Sequence, residues 1–172
     1  LKNEQRDNNS IVGVDSQRLR QEIARLNEQG ITVPLDKEGA DTMLLSTATE
    51  LRLFPSQLGA NARILTKAGV NWTMFTDAFE AANIGYVAGD TKAQDVAVRR
   101  IVDKAKEKNI RTVVVPETGH GYQVLRWLGA NSVGESLPFE VLSIIEFIQQ
   151  AQADGRIALN KQSNGTSITY LD

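Results

Sequence analysis

Cysteine is missing from all 172 residues. The chain can therefore form no disulfide, and it supplies no thiolate for zinc or for an iron–sulfur cluster. Histidine occurs once, at His120, which excludes the His-rich metal sites. No apolar run exceeds a few residues, so no segment reads as a bilayer span. An excess of one charge is lacking as well. Nineteen basic residues stand against 21 acidic ones, and a nucleic-acid binder would need a basic stripe to displace counterions from phosphate. The polar opening LKNEQRDNNS carries no leader pattern, which predicts a cytoplasmic protein. With a start at Leu1 and a stop at Ile168-Thr169-Tyr170-Leu171-Asp172, the sequence reads as a piece of a longer chain.

What is present is an ordinary globular composition, 41% hydrophobic and 23% charged, enough to bury a core. Residues 1–10 are polar and unpatterned, and are expected to fray. Asp15 and Ser16 open a helix with an apolar stripe at Leu19, Ile23 and Leu26, closed by Gly30. Together, 1–41 reads as a polar tail plus one helix, ahead of an α/β domain over 42–172. Thr42–Thr47 is a short buried strand, and Pro55 opens a helix to about Ala68, stopped by Gly69. Asn71–Phe75 is a second strand. Asp90 or Thr91 caps the clearest helix, which ends near Asn109, and Gly85 and Gly89 shape the turn into it. Arg111–Pro116 carries three successive valines, the pattern of a strand buried on both faces. A helix begins near Gly119–Gly121, a loop follows around Gly129–Pro138, and Phe139–Ala153 holds a short strand and a helix. Ser167–Leu171 is a candidate last strand. Trp72 and Trp127 read as core or interface residues.

Strands alternating with helices predict a three-layer α/β domain with a mainly parallel sheet and helices on both faces. In such folds ligands bind beyond the carboxyl ends of the strands. Three segments should meet there: Ser46–Glu50, Thr76–Gly85 and Glu117–Tyr122. The hexapeptide Glu117-Thr118-Gly119-His120-Gly121-Tyr122 is the most informative. Its glycines permit close backbone approach, His120 is a candidate general acid or base, and Glu117 could orient it. The same residues also read as a capping glutamate and a structural histidine. Gly119-His120-Gly121 matches neither the dinucleotide fingerprint nor a P-loop.

The spacing of these segments resembles the CCG domain of heterodisulfide-reductase-like iron–sulfur proteins, a Rossmann-like unit. Within that family it looks like the catalytic subunit of the membrane complex of dissimilatory sulfur metabolism. There a strand ends in cysteine, a Cys-Cys-Gly follows some thirty residues later, and a Cys-x-x-Cys follows after a similar gap. The corresponding places here are Thr47 or Ala48, then Ala81-Ala82-Asn83, then Thr118-Gly119-His120-Gly121. Thirty-two residues lie between Ala48 and Ala81, and 34 between Asn83 and Thr118. Gly121–Trp127, Leu137–Leu142 and the terminal Ile168–Asp172 are similar to further stretches of the family. The likeness covers roughly residues 42–172 and lacks every ligand.

The resemblance implies a degenerate, cluster-free repeat of an iron–sulfur oxidoreductase, with the cluster in the rest of the protein and no cofactor bound by this chain. It implies a disulfide or sulfur-carrier substrate and partner subunits of a redox complex, with no nucleic acid and no direct membrane insertion. Any membrane contact would be at the cytoplasmic face, through another subunit. Glu117 and His120 would then shuttle protons, while Thr47, Asn83, Thr118, Gly119 and Gly121 would contact substrate. Two other readings stay open. One is a scaffolding module that only packs against partner subunits. The other is a metal-free enzyme using Glu117 and His120 on an anionic substrate.

Overall fold

The computed structural model describes residues 1–8, 10–116, 119–160, 167 and 169. Four strands, Thr42–Leu44 (β1), Trp72–Thr73 (β2), Thr112–Val115 (β3) and Glu140–Ser143 (β4), form one parallel sheet in the order β2-β1-β3-β4. Alternation along each strand decides what is buried where, because successive side chains point to opposite faces. Leu44, Val114 and Leu142 join one apolar cluster, whereas Met43, Val113, Val115 and Val141 join another.

The first face is covered by Ser16–Glu28 (α2), Ala48–Leu53 (α3), Pro55–Lys67 (α4) and Ile144–Ala153 (α9). Leu19, Ile23 and Leu26 of α2, Leu58, Ala62 and Leu65 of α4, and Phe147 of α9 fill that layer. Thr91–Glu107 (α6) covers the second face with Val98, Ile101, Val102 and Ala105. Beside it runs a continuous helical stretch. Gly119–Gln123 (α7) passes through a π-helical turn, Val124–Leu128, into Gly129–Val133 (α8). Helices on both faces of a parallel sheet make this the three-layer α/β fold that the sequence predicts.

The caps are those that the side chains allow. Asp15 accepts from the Arg18 N–H and starts α2, and Asp90 accepts from the Ala93 N–H and starts α6. Gly134 ends α8 at φ 81°, in the left-handed region where glycine carries no Cβ penalty.

Several expectations are corrected. Residues 1–10 do not fray as a whole, because Lys2–Asn8 (α1) is helical and packs on α6 and on Ile84–Val87 (α5). A polar side chain anchors it: Gln5 is 5% exposed, donates to the Ala82 carbonyl, and accepts from the Ile84 N–H at 3.0 Å. The segment 1–41 also shares the main core, since Ile11, Val14 and the α2 stripe lie in the cluster with Leu44. The loop expected from Gly129 begins only after Val133, because helix geometry continues through α8. Of the two tryptophans read as core or interface residues, Trp72 is in the core, and Trp127 is 67% exposed, which excludes the core and leaves the interface reading open, with the Arg126 guanidinium 5.7 Å from its ring. Of the expected strand at Ser167–Leu171, only 167 and 169 are described, and neither is in a strand.

Candidate functional site

The chain leaves β1 through α3 and α4 on one face to reach β2, then crosses by α5 and α6 on the other face to β3. The connections after β1 and β3 therefore depart on opposite faces of the sheet. Where neighbouring strands do this, a crevice opens beyond their carboxyl ends. A cleft of about 390 Å³ lies there, lined after β1 by Thr47, Thr49 and Glu50 and after β3 by Gly119 and His120. Ala82 and Ile84, from the segment after β2, complete it with Ile11, Phe54 and Gln57. Its volume is that of a small-molecule site. Two other hollows are of similar size. One is lined by Asp41 and Arg111, before β1 and β3, so it sits at the amino ends of the strands. The other lies between Gly30–Thr32 and α4. Neither combines three strand ends as the first does.

The β1 wall is built by a capping box. The Thr47 hydroxyl accepts from the Glu50 N–H at 3.0 Å, and Glu50 accepts from the Thr47 N–H at 2.9 Å and from the Ser46 hydroxyl at 2.9 Å. This Thr-x-x-Glu pattern, Thr47-Ala48-Thr49-Glu50, is the sequence signal for α3, a helix too short for periodicity to show. Thr47 is 6% exposed and its hydroxyl hydrogen donates to no described residue.

Next to the cleft-lining residues Ile11 and Ala82 is a residue that sequence reasoning missed. Glu80 is 5% exposed, yet its carboxylate gathers four donors. The Ser10 hydroxyl (2.9 Å) and the N–H groups of Ile11 and Ala48 (3.3 Å each) donate to Oε2, and the Ala82 N–H (3.1 Å) donates to Oε1. One carboxylate thus ties the segment after α1, the β1–α3 turn and the segment after β2. Burial pushes its pKa up to about 7, and the four hydrogen bonds oppose that rise. A parallel bridge between Ser46 and Glu80 fixes the same junction through the backbone.

On the β3 wall, His120 is half-buried. Its Nε2 is shielded from solvent and has no hydrogen-bond partner among the described residues. Burial holds the imidazole below its ordinary range, which keeps it neutral at pH 7. Glu117 and Thr118 lie outside the described residues. Gly119 lines the cleft, and a Cβ there would meet nothing within 4 Å.

Of the residues expected to contact substrate, Thr47 and Gly119 line this cleft together with His120. Asn83 and Gly121 do not. Both border a gap of about 10 Å³ behind it, against α6. Asn83 is engaged at both ends, since its Oδ1 accepts from the Tyr86 N–H at 3.0 Å and one Nδ2 hydrogen donates to the Gln94 carbonyl at 3.1 Å. It caps α5 and ties it to α6.

The three places that the resemblance aligns with cysteines thus contribute Thr47, Ala82, Gly119 and His120 to one cleft. As cluster ligands these residues do not fit: hydroxyl, methyl and glycine backbone offer iron no soft donor, and one imidazole cannot hold a cluster. Among the described residues no group of three His, Cys, Asp or Glu side chains could hold a metal ion. No described helix is long and apolar enough to cross a membrane. Comparison with protein-family models, with curated proteins and with solved structures returns no match, so the functional argument rests on the cleft itself.

Proposed function

We propose that this chain is a cluster-free half of a heterodisulfide-reductase-like iron–sulfur oxidoreductase, and that its cleft takes the disulfide or sulfur-carrier substrate. One observation carries the reading. Segments more than thirty residues apart, matched to the family's three cysteine positions, converge on the single crevice where this topology binds ligands. The cluster belongs to the remainder of the protein. The enzyme works in the cytoplasm with other subunits of a redox complex and meets a membrane only through them.

Reducing an S–S bond to two thiols requires two electrons and two protons. The electrons come from outside this chain. Its own residues hold the substrate against Thr47 and Gly119. Both protons come from solvent, and His120 relays one of them: the neutral imidazole takes up a proton, and the imidazolium gives it to the thiolate released as the S–S bond breaks. A positioned imidazole contributes about 100-fold or more to such a transfer. In the full-length protein, His120→Ala therefore lowers kcat for dye-linked reduction of bis(hydroxyethyl) disulfide at least tenfold, and added imidazole restores part of it. Unchanged turnover would remove the proton role.

A second reading has its own observation. Leu53 and Phe54, 66% and 55% exposed, stand beside the cleft at the α3–α4 junction. Large apolar side chains in that position suit a subunit-binding surface. If the domain only scaffolds, Phe54→Ser disrupts assembly while His120→Ala leaves turnover intact.

A further inference from the structure

The charges around the cleft narrow its ligand further, on the premise that the cleft is the disulfide site. Ile11, Phe54, Ala82 and Ile84 give it an apolar lining, and Thr47, Thr49 and Gln57 add neutral polar groups. Glu50 is the charged residue in the wall. Its Oε2 is engaged by the Ser46 hydroxyl and the Thr47 N–H. No lysine or arginine lines the cleft among the described residues. Arg52, on the same short helix, directs its guanidinium to the Val12 carbonyl at 2.8 Å instead. A second carboxyl, Glu80, does not line the cleft but bonds the backbone N–H groups of the lining residues Ile11 and Ala82.

An anionic ligand entering this space would lose water and meet a carboxylate without a counter-cation. That is the unfavourable arrangement for charge in a partly desolvated site. From this lining we infer that the cleft selects neutral or cationic, partly apolar disulfides and rejects those carrying carboxylates or phosphates near the S–S bond. The same electrostatics disfavour the alternative of an enzyme acting on an anionic substrate.

The test uses three small disulfides of matched length and different charge: bis(hydroxyethyl) disulfide, cystamine and dithiodiglycolate. Hexanediol serves as the neutral probe without sulfur. Each is titrated into the chain at fixed ionic strength, and the backbone amide signals of Thr47, Ala82 and Gly119 are followed by NMR. The neutral and cationic disulfides are expected to shift those signals, and dithiodiglycolate to bind about tenfold more weakly or less. Glu50→Gln keeps the capping box, which accepts glutamine at that position, and removes the charge. The discrimination should shrink in that variant. Dithiodiglycolate binding as tightly as the neutral probe, or a gap unchanged in Glu50→Gln, overturns the charge inference and leaves the disulfide reading in place. Hexanediol binding as tightly as bis(hydroxyethyl) disulfide upholds the neutral-ligand inference and removes the disulfide reading. No shift with any probe overturns both.

Discussion

Glu80→Ala is expected to destabilise the protein by about 3 kcal/mol or more, a fall of roughly 6–12 °C in melting temperature for a chain of this size. The substitution strands the N–H groups of Ile11, Ala48 and Ala82 in a buried junction, each worth about 1–3 kcal/mol when left unmade. The Ser10 hydroxyl loses the same partner but still has the Ile11 carbonyl at 3.4 Å. A change below about 1 kcal/mol would show that this carboxylate does not hold these three segments together.

The same residue makes stability depend on pH with a defined sign. The folded-state pKa, about 7, lies above the ordinary value of 4.5. Between those two values the folded state binds more protons than the unfolded one, so stability falls as pH rises. The contribution lost from Glu80 reaches about 3 kcal/mol above pH 7. Glu80→Gln does not titrate, so the stability of the native chain minus that of the variant should decline from pH 4.5 to pH 7. Denaturant unfolding at several pH values measures this, and a difference that rises over the window contradicts the assignment.

Gly85→Ala is the second large effect, and its cause is a close approach of two backbones. A Cβ at Gly85 would lie 2.2 Å from the Gln94 nitrogen and 2.5 Å from the Ala93 carbonyl carbon. Both atoms belong to the first turn of α6 and cannot rotate away as a side-chain tip could. Relief requires α5 and α6 to separate, which stretches the 2.8 Å bond from the Asp90 N–H to the Gly85 carbonyl and the Asn83–Gln94 bond. The loss should be at least about 3 kcal/mol, at the upper end of overpacking effects. Gly119→Ala is the matched control, because nothing obstructs a Cβ there. Equal melting temperatures for the two variants would refute the close-packing account. Since Ala82 and Ile84 line the cleft just before this contact, Gly85→Ala should also weaken binding of bis(hydroxyethyl) disulfide.

The elements that were legible in the sequence are those whose signals are local. Three valines identify β3, Pro55 marks the first turn of α4, and Asp90 marks the start of α6. From these the layered fold and the convergence of its carboxyl-end loops followed. The rest was hidden for physical reasons. α1 is held by polar groups, among them buried Gln5, whose partners lie 77 and 79 residues away, and Arg100, which donates to the Gln5 and Arg6 carbonyls, so no apolar stripe announces it. α3 has only six residues and shows itself through a capping box alone. Glu80 stands just before the run that aligns with the family's Cys-Cys-Gly, and its burial depends on donors up to 70 residues distant. Asn83 belongs to that run, but its amide caps α5 and ties it to α6 behind the cleft. Pattern reading locates the crevice; which side chains remain free to act there depends on hydrogen bonds that only the folded chain defines.

The central claim, that this cleft is the substrate half of an iron–sulfur reductase, is tested most directly on the native gene product. Its intact mass, thiol count and iron content are measured on one purified sample. The account predicts a product substantially longer than 172 residues, with several cysteines outside this segment and with bound iron. A product ending near Asp172, with no thiol and no iron, would contradict it.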